Sequence, residues 1–175
     1  METRIINKIT GADPAECALN ERKINMKKKY YIAYGSNLNH AQMAYRCPDA
    51  EFIGTSIIDG YELVFKGRNY GVADIIPCEG GSVPVGIWSI SETDERNLDV
   101  YEGFPQHYRK QDFTIDFDGK NISCMAYVMS ADRSFKMPSE WYFNTILQGY
   151  IDCGIDTETL FEAADKVSDA FHLKR

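Results

Sequence analysis

Three pairs of apolar segments in the middle of the chain have the spacing of β-hairpins. In each pair the two segments flank a glycine-containing dipeptide, which tolerates the positive φ angles of a tight turn. The pairs are 51–58 and 61–65 around Asp59-Gly60, 72–77 and 83–90 around Gly80-Gly81, and 112–117 and 121–129 around Asp118-Gly119. In the third pair Phe113, Ile115 and Phe117 alternate with polar residues, as in a sheet with one buried face. The pattern therefore predicts three hairpins.

Helical patterns occur mostly late in the chain, after a short helical stretch at 41–46. Ser91 and Asp94 have the spacing of a capping box at a helix start. The three longer helices that we predict run from Ser91 to about Tyr101 with Gly103 as the stop, from Ser139 to Gly154, and from Asp156 or Thr157 onward with Leu160, Ala164, Val167 and Phe171 as the apolar stripe. Strands and helices together predict an α+β fold, a largely antiparallel, strongly curved sheet or small β-barrel with helices packed beside it.

The apolar pattern begins only near residue 26. Residues 1–25 mix charged and polar positions, whereas Met26 precedes three lysines and then the apolar run at 30–34. The length of 175 residues fits one compact domain. We therefore expect a single domain over residues 26–175 and an N-terminal extension of unknown role over residues 1–25. Whether that segment is an extension, a short helix packed outside the domain or the result of a mis-assigned start codon stays open.

Charge and cysteine usage narrow the class of protein. The chain has 19 Lys and Arg against 26 Asp and Glu, a formal charge of −7, which opposes binding to nucleic acid or to an anionic membrane. No apolar run approaches the roughly 18 residues of a membrane span. The five cysteines are scattered without a C-x-x-C pair, and the three histidines lack metal-ligand spacing. We expect a cytoplasmic protein with neither metal nor cofactor, whose oligomeric state the sequence leaves open.

The first candidate site is the polar loop that follows the apolar strand at 30–34 and reads Tyr34-Gly35-Ser36-Asn37-Leu38. A strand that runs through such a loop into a helix leaves backbone N–H groups free and pointing one way. That concavity suits a carboxylate or a phosphate. An ordinary turn followed by a helix capped at Asn39 explains the same residue types, and this alternative stays open.

The second candidate is Glu102, at the end of the first long predicted helix. The helix dipole is negative there and disfavours a carboxylate by about 0.3–1 kcal/mol. That field and the aromatic neighbours Tyr101 and Phe104 should raise the pKa of the Glu102 carboxyl. A raised pKa suits a group that accepts and donates a proton near neutral pH. A solvated glutamate at a helix end is the alternative interpretation.

Taken in order, these segments resemble the gamma-glutamylcyclotransferase family, including its avirulence-induced and gamma-glutamylamine-cyclotransferase-like relatives. The similarity runs from Lys29 to about Val167. The loop at 34–38 matches the family's Y-G-S-N-L substrate-binding loop, and residues 46–50, 71–77 and 98–103 support the match. The resemblance implies a small mixed β-barrel with flanking helices. It also implies a catalytic role for Glu102 and substrate-binding roles for the loop and for three tyrosines, Tyr108, Tyr127 and Tyr142.

The resemblance implies a cyclotransferase that needs no cofactor. In a gamma-glutamyl amide the substrate's own α-amine attacks the γ-carbonyl, forms 5-oxoproline and releases an amine or amino acid. Glu102 would carry both proton transfers, and the N–H groups of the loop would hold the α-carboxylate or the oxyanion. A non-catalytic module that binds a small ligand and a gamma-glutamyl amide hydrolase are the alternatives. The sequence does not specify the leaving amine.

Overall fold

The computed structural model describes residues 29–172, with side chains up to residue 169. The predicted extension at residues 1–25 lies outside the described residues. In chain order the described elements are β1 (Lys29–Ala33), a 3-10 turn (Ser36–Leu38), α1 (His40–Arg46), β2 (Glu51–Lys66), β3 (Val72–Ile90), α2 (Glu92–Glu102), β4 (Tyr108–Phe117), β5 (Lys120–Met129), α3 (Glu140–Cys153) and α4 (Glu158–His172).

The strands form one mixed sheet in the order β2-β3-β1-β5-β4. The central strand β1 pairs antiparallel with β3 and parallel with β5, where Tyr31 faces Met125. The sheet is not closed, but its two edge strands approach each other. The Ser56 hydroxyl donates to the Asp116 carbonyl at 2.6 Å, and the rings of Tyr61 and Phe113 meet edge to face. The α+β prediction is therefore confirmed, in its form of a strongly curved sheet with flanking helices.

Two of the three predicted hairpin turns are wrong. β2 continues through Asp59-Gly60, and β3 continues through Gly80-Gly81, so that the two strands form one long antiparallel ribbon. The dipeptides lie near each other in this ribbon and shift its register. Gly60 and Gly80 have φ of +79° and +74°, which bends the ribbon without reversing the chain. The chain reverses instead at residues 67–71.

The third predicted hairpin is confirmed. β4 and β5 pair in register from Tyr108 opposite Met129 to Phe117 opposite Lys120. Asp118 and Gly119 occupy the turn with φ of +51° and +73°. Both angles are positive, as the two central residues of a type I′ turn require.

The helix limits follow local capping chemistry, as predicted. Ser91 and Asp94 form the reciprocal capping box of α2, and Gly103 ends that helix in the left-handed conformation. Ser139 caps α3, which ends at Gly154. In α4, Leu160 and Val167 are buried as predicted, whereas the side chain of Phe171 lies outside the described residues. No helix within residues 29–172 combines the length and apolar character that a membrane crossing would need.

The hydrophobic core brings the helices against the curved sheet. Ile32 of β1, Leu98 of α2 and Ile146 of α3 are fully buried in it. Full burial of one such side chain stabilises the fold by roughly 1.5–3 kcal/mol. The core therefore fixes the end of β1, the C-terminus of α2 and the first turns of α3 relative to one another.

Candidate active site

A small cavity lies where β1 ends, beside the C-terminus of α2. Its volume is about 30 Å³, which is enough to hold a water molecule. The residues that line it are Tyr31, Tyr34, Gly35, Ser36, Asn37, Ala73, Glu102, Tyr108, Tyr127 and Tyr142. Eight of the nine residues predicted for the site are in this set. The ninth, Leu38, is not.

Leu38 lies under the loop instead of in the cavity. Its side chain is fully buried in the core. Its N–H donates to the Gly35 carbonyl at 2.9 Å and closes the 3-10 turn. Leu38 therefore offers the cavity neither its side chain nor its N–H group.

The loop offers fewer backbone donors than the full run expected, because the N–H of Leu38 is already paired with the Gly35 carbonyl. Within residues 29–172, the N–H groups of Ser36 and Asn37 have no hydrogen-bond acceptor. Gly35 packs so closely on β3 that a Cβ there would lie 3.0 Å from the Cβ of Ala73. The turn-and-cap interpretation is also realised, because the Asn39 side chain accepts from the N–H of Gln42 at 3.0 Å. The capping and the free donors coexist in one loop.

Glu102 is the last residue of α2, and its Oε1 accepts a hydrogen bond from Asn37 Nδ2 at 2.9 Å. Burial raises the pKa of the Glu102 carboxyl to about 7, although the Asn37 hydrogen bond and the positive charge of Arg46 partly oppose that rise. From the sequence we expected the helix dipole and the aromatic neighbours to raise the pKa of this carboxyl. The pKa is raised, but the main cause is desolvation.

Three of the cavity tyrosines give their hydroxyl protons to protein acceptors. These bonds run from Tyr34 to the Tyr127 carbonyl at 2.5 Å, from Tyr108 to the Ala73 carbonyl at 3.2 Å, and from Tyr127 to an Asp99 carboxylate oxygen at 2.6 Å. Burial is the largest cause that raises the pKa of each of these hydroxyls, so that they stay protonated. Their hydroxyls hold the walls of the cavity together.

The other two tyrosines accept hydrogen bonds instead. The Tyr142 hydroxyl accepts from the Ala73 N–H at 3.2 Å, and the Tyr31 hydroxyl accepts from Asn37 Nδ2 at 2.8 Å. A hydroxyl that accepts still has its own proton to donate. Burial raises the pKa of both groups, so that each keeps that proton at neutral pH.

Three residues at or behind the cavity were not predicted as site residues from the sequence: Tyr31, Ala73 and Arg46. Tyr31 is two residues before Ala33 on β1, and strand alternation could have placed it near the loop. Arg46 gave no separate signal, because a basic residue in the last turn of a helix is common for electrostatic reasons. Its contact with Asn37 depends on how α1 folds back on the loop.

A wider groove lies between the turn at 67–71 and residues 131–136. It holds the basic side chains of Lys66, Arg68 and Arg133. The carboxylate among its lining residues, Asp132, is exposed and pairs with Lys66 at 2.6 Å. The lining of the groove contains neither a histidine nor a buried carboxylate. The small cavity around Glu102 is therefore the better candidate for chemistry.

Comparison with known proteins identifies the family of the chain. Residues 31–144 match the family model described as gamma-glutamyl cyclotransferase, AIG2-like. The gamma-glutamylcyclotransferases of Bos taurus and Homo sapiens are 29% and 28% identical over 138 residues, which is 73% of this chain and 73% of each of those proteins. A solved structure titled gamma-glutamyl cyclotransferase superposes with a TM-score of 0.71 at 25% identity, over 78% of this chain and 86% of that one. The chain belongs to the gamma-glutamyl cyclotransferase, AIG2-like family.

Proposed function

We propose that this protein is a cyclotransferase that cleaves a gamma-glutamyl amide and releases 5-oxoproline together with a free amine or amino acid. The names of its relatives support this activity. The observation that carries the proposal is a glutamate with a pKa of about 7 beside two unpaired backbone donors in one cavity. The reaction requires both features.

In the proposed reaction the loop binds the substrate. The N–H groups of Ser36 and Asn37 would hold the substrate α-carboxylate, or the oxyanion that develops on the γ-carbonyl. Fixing the α-carbon also fixes the α-amine, which must reach the γ-carbon of the same molecule. Correct positioning of two reacting groups contributes up to about 7–11 kcal/mol to lowering a barrier.

Glu102 supplies the proton transfers. Its carboxylate removes a proton from the substrate α-ammonium, and the freed amine forms a C–N bond to the γ-carbon. The tetrahedral intermediate then collapses and its γ-C–N bond to the leaving group breaks. The protonated Glu102 gives its proton to the departing nitrogen. The ring nitrogen then loses its second amine proton, and that proton ends on the released amine, which leaves as an ammonium ion beside neutral-lactam 5-oxoproline. At a pKa of about 7 both forms of the carboxyl are populated at neutral pH, as two successive transfers by one group require.

The activity is tested by incubating the protein with a panel of gamma-glutamyl amides and identifying the products by mass spectrometry. The panel covers gamma-glutamyl amino acids, gamma-glutamyl-ε-lysine and gamma-glutamyl polyamines, because the leaving amine is unassigned. Stoichiometric 5-oxoproline and amine support the proposal. Free glutamate would identify a hydrolase, and saturable binding without any product would identify a binding module.

A further inference from the structure

Arg46, at the end of α1, lies behind the cavity wall and contacts Asn37, which lines the cavity. Its Nη1 donates to Asn37 Oδ1 at 2.5 Å. Its Nη2 donates to Gln42 Oε1 at 2.5 Å, one turn earlier in the helix. The ring of Tyr101 lies against the guanidinium, 3.7 Å from the Arg46 Cζ to the ring centroid. Arg46 is thus held on three sides, and one of its donors points at Asn37.

The contact with Arg46 decides which way the Asn37 amide faces. A guanidinium can only donate hydrogen bonds, so the atom that meets it must be the amide oxygen. The amide nitrogen then faces the other way, where it donates to Glu102 at 2.9 Å and to Tyr31 at 2.8 Å. Asn37 is 3% exposed, and an unsatisfied polar group at such a site costs about 1–3 kcal/mol. A flipped amide would lose the bond from Arg46 and the bond to the Glu102 carboxylate. The Tyr31 hydroxyl would then have to give its proton to Asn37.

The orientation of that amide decides which groups in the cavity can donate a hydrogen bond and which can accept a proton. Glu102 receives a hydrogen bond on Oε1, and this bond fixes the carboxyl while leaving it able to accept a proton. Tyr31 also receives a hydrogen bond, so its own proton points to no acceptor within residues 29–172. The cavity therefore presents a base at Glu102 and a donor at Tyr31.

We propose that Arg46 is a positioning residue for the reaction, which acts through Asn37 to hold the Glu102 carboxyl in place and to leave the Tyr31 hydroxyl proton for the substrate. This inference rests on the proposed cyclotransferase function. Arg46 is absent from the cavity lining, so its action on the substrate is indirect. Tyr31 lines the cavity and would donate to the oxygen of the reacting carbonyl.

The charge of Arg46 gives the proposal a second measurable consequence. Among the described residues, the groups that interact electrostatically with Glu102 are the hydroxyls and the thiol of Tyr31, Tyr34, Tyr108, Tyr142 and Cys47, and the cation of Arg46. Burial is the largest cause that raises the pKa of these hydroxyls and of the thiol, so all five are neutral near pH 7. Removal of Arg46 should therefore raise the pKa of Glu102.

Two substitutions separate positioning from packing. Arg46→Met keeps an unbranched side chain but removes the donors and the charge, whereas Arg46→Lys keeps the charge and a group that only donates. We expect Arg46→Met to lower kcat by about 10- to 100-fold, because small misplacement of reacting groups costs that much. The pH at which activity reaches half its maximum should also rise. Arg46→Lys should stay within about tenfold of wild type, with the pH midpoint unmoved.

Arg96→Met is the matched control. Arg96 is an exposed residue of α2 whose guanidinium contacts the Thr93 hydroxyl at 3.1 Å, so its loss removes the same charge without touching Asn37. Thermal melts of all variants report folding. Wild-type kcat and pH midpoint in Arg46→Met would overturn the proposal. Equal losses in Arg46→Met and Arg46→Lys, with no movement of the midpoint, would also overturn it by showing a packing role.

A measurement without turnover separates this inference from the proposed function. The titration of the Glu102 side-chain carboxyl is followed by NMR in ¹³C-labelled wild type and Arg46→Met, with Glu102→Gln to assign the signal. A midpoint that is higher in Arg46→Met supports the action of Arg46 even if no gamma-glutamyl amide is cleaved. An identical midpoint overturns it even if the wild-type protein produces 5-oxoproline.

Discussion

The Glu102 carboxyl combines two properties that a solvated glutamate lacks. It lines a cavity of buried tyrosines, and its pKa lies near 7 because burial disfavours the charged form. A single hydrogen bond from Asn37 holds it there. Replacement by glutamine keeps the size and the capacity for that bond, but it removes the capacity to carry a proton.

We therefore expect Glu102→Gln to abolish turnover while ligand binding remains. Loss of a general acid–base group lowers rates by about 10²–10⁴-fold, and one group carries two transfers here, so the loss should reach the upper end. The measurement is kcat for 5-oxoproline release beside binding of a substrate analogue. More than about a tenth of wild-type activity would remove Glu102 from the mechanism and direct attention to Glu95, Asp99, Tyr108 and Tyr127.

The same substitution should change how stability depends on pH. The folded-state pKa of Glu102 is about 7, against 4.5 for an unperturbed glutamate. The folded protein therefore binds more protons than the unfolded chain between these values, and wild type loses stability as pH rises through this window. In wild type this decrease in the free energy of unfolding is about 3 kcal/mol at most. Glu102→Gln should not show it, because the glutamine does not titrate.

Thermal melts at pH 4 and pH 8 measure this effect. The Tm of Glu102→Gln should match wild type at the lower pH and exceed it at the higher pH. Glu140→Gln, at the exposed first turn of α3, is the control and should show no such divergence. A constant Tm difference between Glu102→Gln and wild type would refute the raised pKa.

At the scale of secondary-structure elements, the loop between β1 and α1 is both a structural turn and a donor surface. We expect a small anion such as formate, acetate, sulfate or phosphate to bind at the N–H groups of Ser36 and Asn37, because they are unpaired at a strand-to-helix junction. A crystal structure or amide chemical shifts in a titration would locate it. Shifts confined to Leu38, or an anion bound elsewhere, would contradict the assignment.

The contact between α3 and the 3-10 turn positions that loop. A Cβ at Gly149 would lie 2.6 Å from the Asn39 nitrogen and 2.7 Å from the Leu38 carbonyl carbon. Alanine normally stabilises a helix interior by about 0.5–1 kcal/mol over glycine. Here the clash with backbone atoms should reverse the sign, because overpacking costs about 1–3 kcal/mol.

Gly149→Ala should therefore lower both Tm and kcat by displacing the turn from the cavity. Gln148→Ala changes the neighbouring exposed residue of the same helix and is the control. The two are compared by thermal melts and by initial rates of 5-oxoproline release. A rise in Tm for Gly149→Ala would mean that α3 can move away from the turn at little cost.

Helix limits and hairpin turns differ in how far local sequence determines them. Ser91 and Gly103 cap α2 through bonds to neighbours a few residues away, so their residue types suffice to predict the ends. Gly60 and Gly80 supply positive φ, which serves a bulge as well as a turn. The choice between them depends on β2 pairing with β3 along its whole length, and local sequence does not contain that information.

The residues of the candidate site also differ in whether local sequence is enough to predict them. Glu102 and the loop are recognisable because each is a short segment whose chemistry is unusual for its position. The contact of Arg46 with Asn37 and the exclusion of Leu38 from the cavity arise from the way α1 and α3 pack on the turn. Those placements depend on tertiary packing, and the sequence pattern alone could not supply them.

At the scale of the whole molecule, the proposed chemistry uses a proton carrier and hydrogen-bond donors. The part of the chain that is described contains no group of three or more His, Cys, Asp or Glu side chains placed to hold a metal ion. We expect prolonged treatment with EDTA, followed by buffer exchange, to leave kcat unchanged. Loss of turnover that one particular divalent ion restores would show that the mechanism is incomplete.

The size of the cavity around Glu102 has a kinetic consequence. Sites that enclose drug-sized ligands run from about 300 to 1,000 Å³, whereas this cavity measures about 30 Å³. If the substrate is a gamma-glutamyl compound, as proposed, it needs more room than this cavity has, and part of the wall must move to admit it. The observed rate of association should then level off at high ligand concentration, at the rate of that opening. Slow opening would likewise prolong the residence time of any inhibitor built on the gamma-glutamyl group.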